Sequence, residues 1–325
     1  MKKVFKIALL SQILIQGLLW GAPLEKIVIA GPSANVSHPI FRMIESGALE
    51  KIADRVEFRL WNNPDQLRAM ILNKEVDFVA VPTNVGAILY NKRQPIELLN
   101  VSVWGILHIL VRDPKIKTLH DLKGKTLVVP WRGDMPDIVL QTVMEKEGMG
   151  PKEIKLLYVS NPMDAAQQLI MRRQDNALLP EPATSMVLRK TKSFPVSLVA
   201  PELYRGIDLQ EEWGRAFGIE PKIAQAGMAV VGKMRDNAEA VEAFEKAYEE
   251  ATKWYKAHPK EAAKLVVKYV KMFNEEAVAD SIAHVRFEVV PAKEARADVE
   301  FFFTQLKKRD PKMIGGKLPD EGFYR

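Results

Sequence analysis

Short apolar runs alternate with helical patterns along most of the chain. Lys26 to Ala30 (KIVIA) reads as a strand and Gly31-Pro32-Ser33-Ala34-Asn35 as the loop that leaves it. Ser37 can cap a helix carrying Ile40, Phe41, Ile44 and Ala48 on one side. Arg55 to Trp61 alternates like a second strand, and Asn63-Pro64 opens a helix with Leu67, Met70 and Ile71. Val76 to Val81 is a third strand, ending in Pro82-Thr83-Asn84. This βαβαβ order is the unit of a parallel sheet with right-handed crossovers.

The same order returns about one hundred residues later, as a duplicated architecture would require. Lys26 to Ala30 matches Lys125 to Val129, and Val56 to Leu60 matches Ile154 to Tyr158. Asn63-Pro64 recurs as Asn161-Pro162, Asp77 as Asp175 and Pro82 as Pro180, so the offset reads as 98 from Val56 onward. Asn, Asp and Pro are common in turns, which leaves shared turn chemistry as an alternative to duplication. Two similar lobes are expected.

In the second lobe GKTLVVPWRGDMPD (124 to 137) predicts a buried strand, a polar loop and a helix start. Gly133 permits the sharp exit, Asp134 can cap the helix, Pro136 suits its first turn and Gly148 can end it. Thr118 and Asp121 have the spacing of a capping box. Apolar runs around Trp104-Gly105 and over Gly227 to Gly232 predict two crossings between lobes. Helices are expected at Val241 to Tyr255, Pro259 to Met272, Asn274 to His284 and Ala292 to Arg309. The division is 23–105 for the first lobe, 106–226 for the second, and 227–325 returning to the first as a mostly helical part.

Residues 1–22 stand apart: Lys2, Lys3 and Lys6 precede an apolar segment from Ile7 to Trp20, the layout of a cleavable secretory signal peptide. Without those lysines the formal charge falls from +6 to +3. The remaining basic residues are interleaved with acids, so no nucleic-acid partner is expected. The chain has no cysteine, which excludes disulfides, thiolate metal sites, a cysteine nucleophile and a lipidated amino-terminal cysteine.

Catalytic signatures fail. Gly124-Lys125-Thr126 imitates the end of a phosphate loop, but Leu119 occupies the first glycine position and a strand follows. His38, His108, His120, His258 and His284 are scattered without metal-ligand spacing, and there is no Gly-x-Ser-x-Gly elbow. No cofactor or metal is expected. A binding cleft asks for less: loops at the carboxyl ends of strands, facing each other across two lobes. The first lobe offers Ser33, Asn35, His38, Trp61, Thr83 and Asn84, and Trp104 and Gly105 sit at the crossing. The second lobe offers Arg132, Gly133, Asp134, Met135 and Glu181. The tryptophans provide flat walls and the hydroxyl and amide groups both donors and acceptors.

Several stretches, in their order and spacing, resemble the substrate-binding proteins of ABC importers. They are GPSANVSHP, VDFVAVPTNVGAILY, WGILHILV before TLHDLKGKTLVV, DNALLPEPATSMVL and the closing GGKLPDEGFY. The branch resembled includes nitrate, alkanesulfonate, taurine and thiamine-precursor pyrimidine binding proteins. The resemblance implies a type II periplasmic-binding-protein fold, α/β, with two lobes of mostly parallel sheets joined by two crossover segments. It further implies a monomer in the periplasm, not an enzyme, that closes over a small organic ligand of sulfonate-, nitrate- or pyrimidine-like class. Delivery to an ABC permease in the inner membrane follows. Two features depart from the pattern: Asp134 and Glu181 place carboxylates where an anion would bind, and the cysteines used by pyrimidine-synthesising relatives are missing. An enzyme on the same scaffold, with Asp134, Glu181 or His38 as acid or base, is the alternative.

Overall fold

The structure, a computed structural model, describes residues 23–194, 197 and 202–325. The expected signal peptide, 1–22, lies outside the described residues. In chain order the first lobe's elements are β1 (Ile27–Gly31), α1 (His38–Glu45), β2 (Val56–Leu60), α2 (Pro64–Leu72), β3 (Phe78–Pro82), α3 (Thr83–Asn91), β4 (Ile96–Leu98) and β5 (Asn100–Gly105). The chain then enters β6 (Leu107–Val111), β7 (Thr126–Pro130), α4 (Met135–Lys146), β8 (Lys155–Val159) and α5 (Pro162–Ile170). There follow β9 (Asn176–Pro180), α6 (Ala183–Lys192), β10 (Tyr204–Asp208) and α7 (Leu209–Phe217). It returns through β11 (Ala226–Val231), α8 (Ala238–Ala257), α9 (Pro259–Tyr269), α10 (Glu275–Ile282), β12 (Arg286–Pro291) and α11 (Ala292–Arg309).

These strands form two sheets. One runs β12-β5-β11-β3-β1-β2 with β4 beside β11; the other runs β10-β6-β9-β7-β8. The expected parallel triplets are present as β2-β1-β3 and β8-β7-β9. Every pairing beyond them is antiparallel, so each sheet is mixed rather than mostly parallel. Strands brought in by the crossings run against the triplets they join. In β1, the middle strand of the first parallel triplet, every residue is buried, as helices on both faces demand. On the first sheet, Phe244 of α8 stacks on Phe78 of β3 at a ring separation of 3.9 Å, the kind of aromatic burial that contributes about 1.5–3 kcal/mol per ring.

The two crossings lie side by side. Ile223 N donates to Trp104 O at 2.8 Å and Gln225 N to Val103 O at 3.1 Å. Gln210, buried at the start of α7, accepts from the N–H groups of Ile106 and Leu107 and donates to Leu107 O. Gly105 is where it is because of this side chain: a Cβ there would stand 2.5 Å from Gln210 Cγ. Helix α11 packs on β5 and β12 of the first sheet and on helices of the second, with Phe301 and Phe302 edge-on to Trp213 of α7.

The repeat holds, with a corrected register. β1 to β7 and β2 to β8 are offset by 99 residues, whereas α2 to α5 is offset by 98. The one-residue difference falls where the first lobe has Trp61-Asn62-Asn63 and the second only Ser160-Asn161. The offset then grows to 100 at α3 to α6, because Glu181-Pro182 intervenes after β9 where β3 runs straight into α3. The repeat therefore breaks at Trp61 and at Glu181.

Candidate functional site

Carboxyl ends of the parallel strands from both sheets converge on one cleft of about 260 Å³. Each wall residue follows from a strand's exit. Pro32 and Ser33 come directly after β1, Trp61 after β2, Trp131 after β7 and Glu181 after β9. Asn161 stands between β8 and α5, and Met163 and Asp164 lie in the first turn of α5. Met272 and Phe273, from the turn between α9 and α10, close one side. A second chamber of about 80 Å³ shares Pro32, Ala34, Trp61, Trp131 and Pro180, and adds Val81, Val103, Leu107 and Met135.

Local sequence sets these positions. Asn63 and Asn161 cap α2 and α5 by accepting from Gln66 N and Asp164 N, both at 2.9 Å, with proline in each first turn. The caps pin the loops that carry Trp61 and Ser160. Trp131 has φ 56°, a left-handed conformation that costs a side-chain-bearing residue free energy. Gly133, two residues on, has φ 76° and makes the exit its sequence position suggests. Both indole N–H groups, of Trp61 and Trp131, are buried without a partner.

Of the thirteen residues proposed from sequence, Ser33, Trp61, Glu181 and Met135 line the two chambers. Glu181 is fully buried and held: Arg205 Nη2 stands 2.5 Å from its Oε1, and Ser185 N donates to its Oε2 at 3.0 Å. The other nine lie elsewhere, for physical reasons. Asn35 and His38 sit behind the wall in a closed network. His38 Nε2 faces the Ser33 carbonyl, which only accepts, so Nδ1 carries the lone pair and Tyr255 donates its hydroxyl proton to it at 2.8 Å. Asn35 donates to Tyr255 Oη and Ser281 Oγ. Thr83 donates to Ala224 O and Asn84 to Met313 O, both as buried braces. Trp104 turns away from the cleft, donating to Glu288 O with Lys222 over its ring. Gly105 packs on Gln210. Arg132 is exposed, its guanidinium 5.0 Å over the Tyr158 ring, and Gly133 is exposed beside it.

Asp134 does not cap α4. Its carboxylate reaches across to Arg68 of α2 at 3.2 Å, joining the two sheets' helices. Asp137 serves as the cap, accepting from Gly133 N at 2.8 Å and from the Tyr158 hydroxyl. Burial raises the Asp134 carboxyl above its ordinary range, and Arg68 pulls it back. The Arg189–Asp280 pair makes a second link between the two sheets' helices, α6 to α10. Sequence reasoning missed Trp131, Asn161, Asp164 and Phe273. The first three carry a readable signal, since each lies in the first few positions past a β7 or β8 carboxyl end; Phe273 carries none, as it arrives from a distant helix pair.

Burial lowers the pKa of His38 from 6.5 to about 3. The unfolded chain therefore takes up a proton on this residue below 6.5 that the native state refuses until about 3. Stability is expected to fall, as pH drops through that window, by about 1.4 kcal/mol per unit from this group alone. Urea unfolding at pH 6 and pH 4 measures it, and His38→Gln should remove that part of the slope. An identical slope in the variant would place the acid sensitivity elsewhere.

Among the described residues no helix is long and apolar enough to cross a membrane, and no group of acids and histidines could hold a metal ion. A family model described as NMT1/THI5 like matches residues 63–262. No curated protein sequence matches the chain. The fold is similar to that of an ABC transporter crystal structure from Parabacteroides distasonis, at 24% identity over 93% of this chain and 99% of that one, with a TM-score of 0.74. It is also similar to the periplasmic aliphatic sulphonate binding protein SsuA of Escherichia coli, at 15% identity over 90% and 96% of the two chains, TM-score 0.67. A third is the periplasmic nitrate-binding protein NrtA of Synechocystis, at 14% identity over 89% and 83%, TM-score 0.68.

Proposed function

Since the chain belongs to the NMT1/THI5-like family and has the type II periplasmic-binding-protein fold, we propose that it is the solute-binding component of an ABC importer. The observation that carries this reading is the cleft itself: strand ends from two sheets face each other across about 260 Å³, a space for a small organic molecule. Residues 23–105 and 227–325 form one lobe and 106–226 the other, and closure about the two crossings buries the ligand. Residues 1–22 direct the chain to the periplasm, where it acts as a monomer and delivers its ligand to an inner-membrane permease.

The enzyme alternative loses support group by group. His38 is neutral and enclosed, Glu181 is bound by Arg205 and Ser185, and Asp134 is bound by Arg68. A general acid or base must reach its substrate. None of the three is presented to the cleft as a free group.

Thermal shift against sulfonates, nitrate, carboxylates, amines and pyrimidines tests the reading. A ligand at one hundred times its Kd adds about 2.7 kcal/mol of stability. A hit that also compacts the protein in small-angle scattering supports a closing binder. No shift anywhere in the panel, with unchanged scattering, overturns it, and turnover of a hit would favour an enzyme.

A further inference from the structure

We propose that the cleft selects an organic cation, an amine or quaternary ammonium with a compact apolar body, and rejects small oxyanions. This rests on the solute-binding reading above and gives it a ligand class.

Charge is the first support. Among the described residues no lysine or arginine lines either chamber, while the acidic residues Asp164 and Glu181 belong to the lining. Glu181 is neutralised by Arg205. Asp164 has no cationic partner among the described residues; its carboxylate meets only the Asn161 amide, at 3.0 Å. The cations nearest the cleft in sequence are engaged: Arg132 over Tyr158, and Arg68 between Asp65 and Asp134. An entering oxyanion would meet one uncompensated carboxylate and no countercharge. A cation meets its partner.

The cap of α5 does not use the Asp164 carboxylate, since Asn161 accepts from the Asp164 backbone N–H. The matching position in the first lobe is Gln66, 98 residues earlier, so a neutral amide stands in the same helical turn there, its Oε1 accepting from Asn62 N at 2.9 Å. The second lobe carries an acid at this place, on the cleft wall. Aromatic groups add the second support. Trp61 and Trp131 enter the same cleft from different sheets, with Phe273 closing a side, and indole faces attract ammonium groups, most strongly where water is excluded. The smaller chamber, walled by Val81, Val103, Leu107 and Met135, accepts the apolar body.

Isothermal titration of ligand-stripped protein with two isosteric pairs tests this: choline against 3,3-dimethyl-1-butanol, and phenethylammonium against phenethyl alcohol, with ethanesulfonate and nitrate as anions. Each cation is expected to bind at least tenfold more tightly than its uncharged mate, and neither anion to bind. Asp164→Gln, which copies the first lobe, should lower cation affinity tenfold or more and leave the alcohols unchanged at an unaltered melting temperature. If that variant melts early, Asp164→Asn serves as the second. Anions binding more tightly than the cations, or alcohols binding equally, overturn the cation class and leave the solute-binding reading standing. Silence here with a hit of another charge class in the wider panel does the same. Silence in both overturns both.

Discussion

Trp131→Gly is expected to weaken ligand binding at least 100-fold while leaving the fold within about 1 kcal/mol of its parent stability. The two halves of this expectation come from one residue. Its indole lines both chambers of the cleft, so deleting it removes a shared wall and the contacts it makes with a bound molecule. Its backbone, at φ 56°, sits where glycine is at ease and tryptophan is not. Relief of that strain, worth on the order of 1 kcal/mol or more, offsets the packing lost from a partly buried ring. Titration with a ligand found by thermal shift, and urea unfolding of both proteins, measure the two quantities. A variant that binds normally would mean the cleft has been placed wrongly; one that binds poorly because it unfolds would mean the left-handed turn is held by the ring.

Arg205→Met should destabilise the protein by about 3–5 kcal/mol, since it strips a fully buried carboxylate of its countercharge. Glu181 would keep only the Ser185 N–H. Pairing it with Glu181→Gln should recover most of the loss, because the cost belongs to an uncompensated charge more than to a missing contact. Urea unfolding of the two single variants and the double gives the coupling. A loss below 1 kcal/mol for Arg205→Met would show the pair to be well screened, as the partial exposure of Arg205 allows.

Elements governed by local pattern were legible in the sequence. Strand and helix order through the first hundred residues, the Asn63-Pro64 and Asn161-Pro162 helix starts and the Thr118–Asp121 capping box all stand where spacing puts them. Pairings set by distant chain were not. β12 follows a helical run and is called into being by β5, nearly two hundred residues earlier. Site residues divide on the same line. Trp61 and Glu181 are recognisable as residues just past a strand's carboxyl end, whereas the gain of residues there shows only in the structural register, since the sequence reads as a constant offset of 98. Asn35, His38, Thr83 and Asn84 have the right chemistry one layer too deep, and nothing local says that Tyr255, Ala224 or Met313 will arrive to occupy them. Trp104 was misplaced by the same ignorance: its partner is the Glu288 carbonyl in β12.

The lacing of the two crossings has a mechanical meaning. Val103, Trp104, Ile106 and Leu107 on one strand path, and Ile223 and Gln225 on the other, are tied to each other or through Gln210. Two ribbons bonded along their length cannot slide past one another or twist separately without breaking several hydrogen bonds at once. Such bonds oppose shear of one sheet against the other more than they oppose rotation about the paired crossings. On the solute-binding reading, occupancy of the cleft would be expressed outward as the angle between the two sheets.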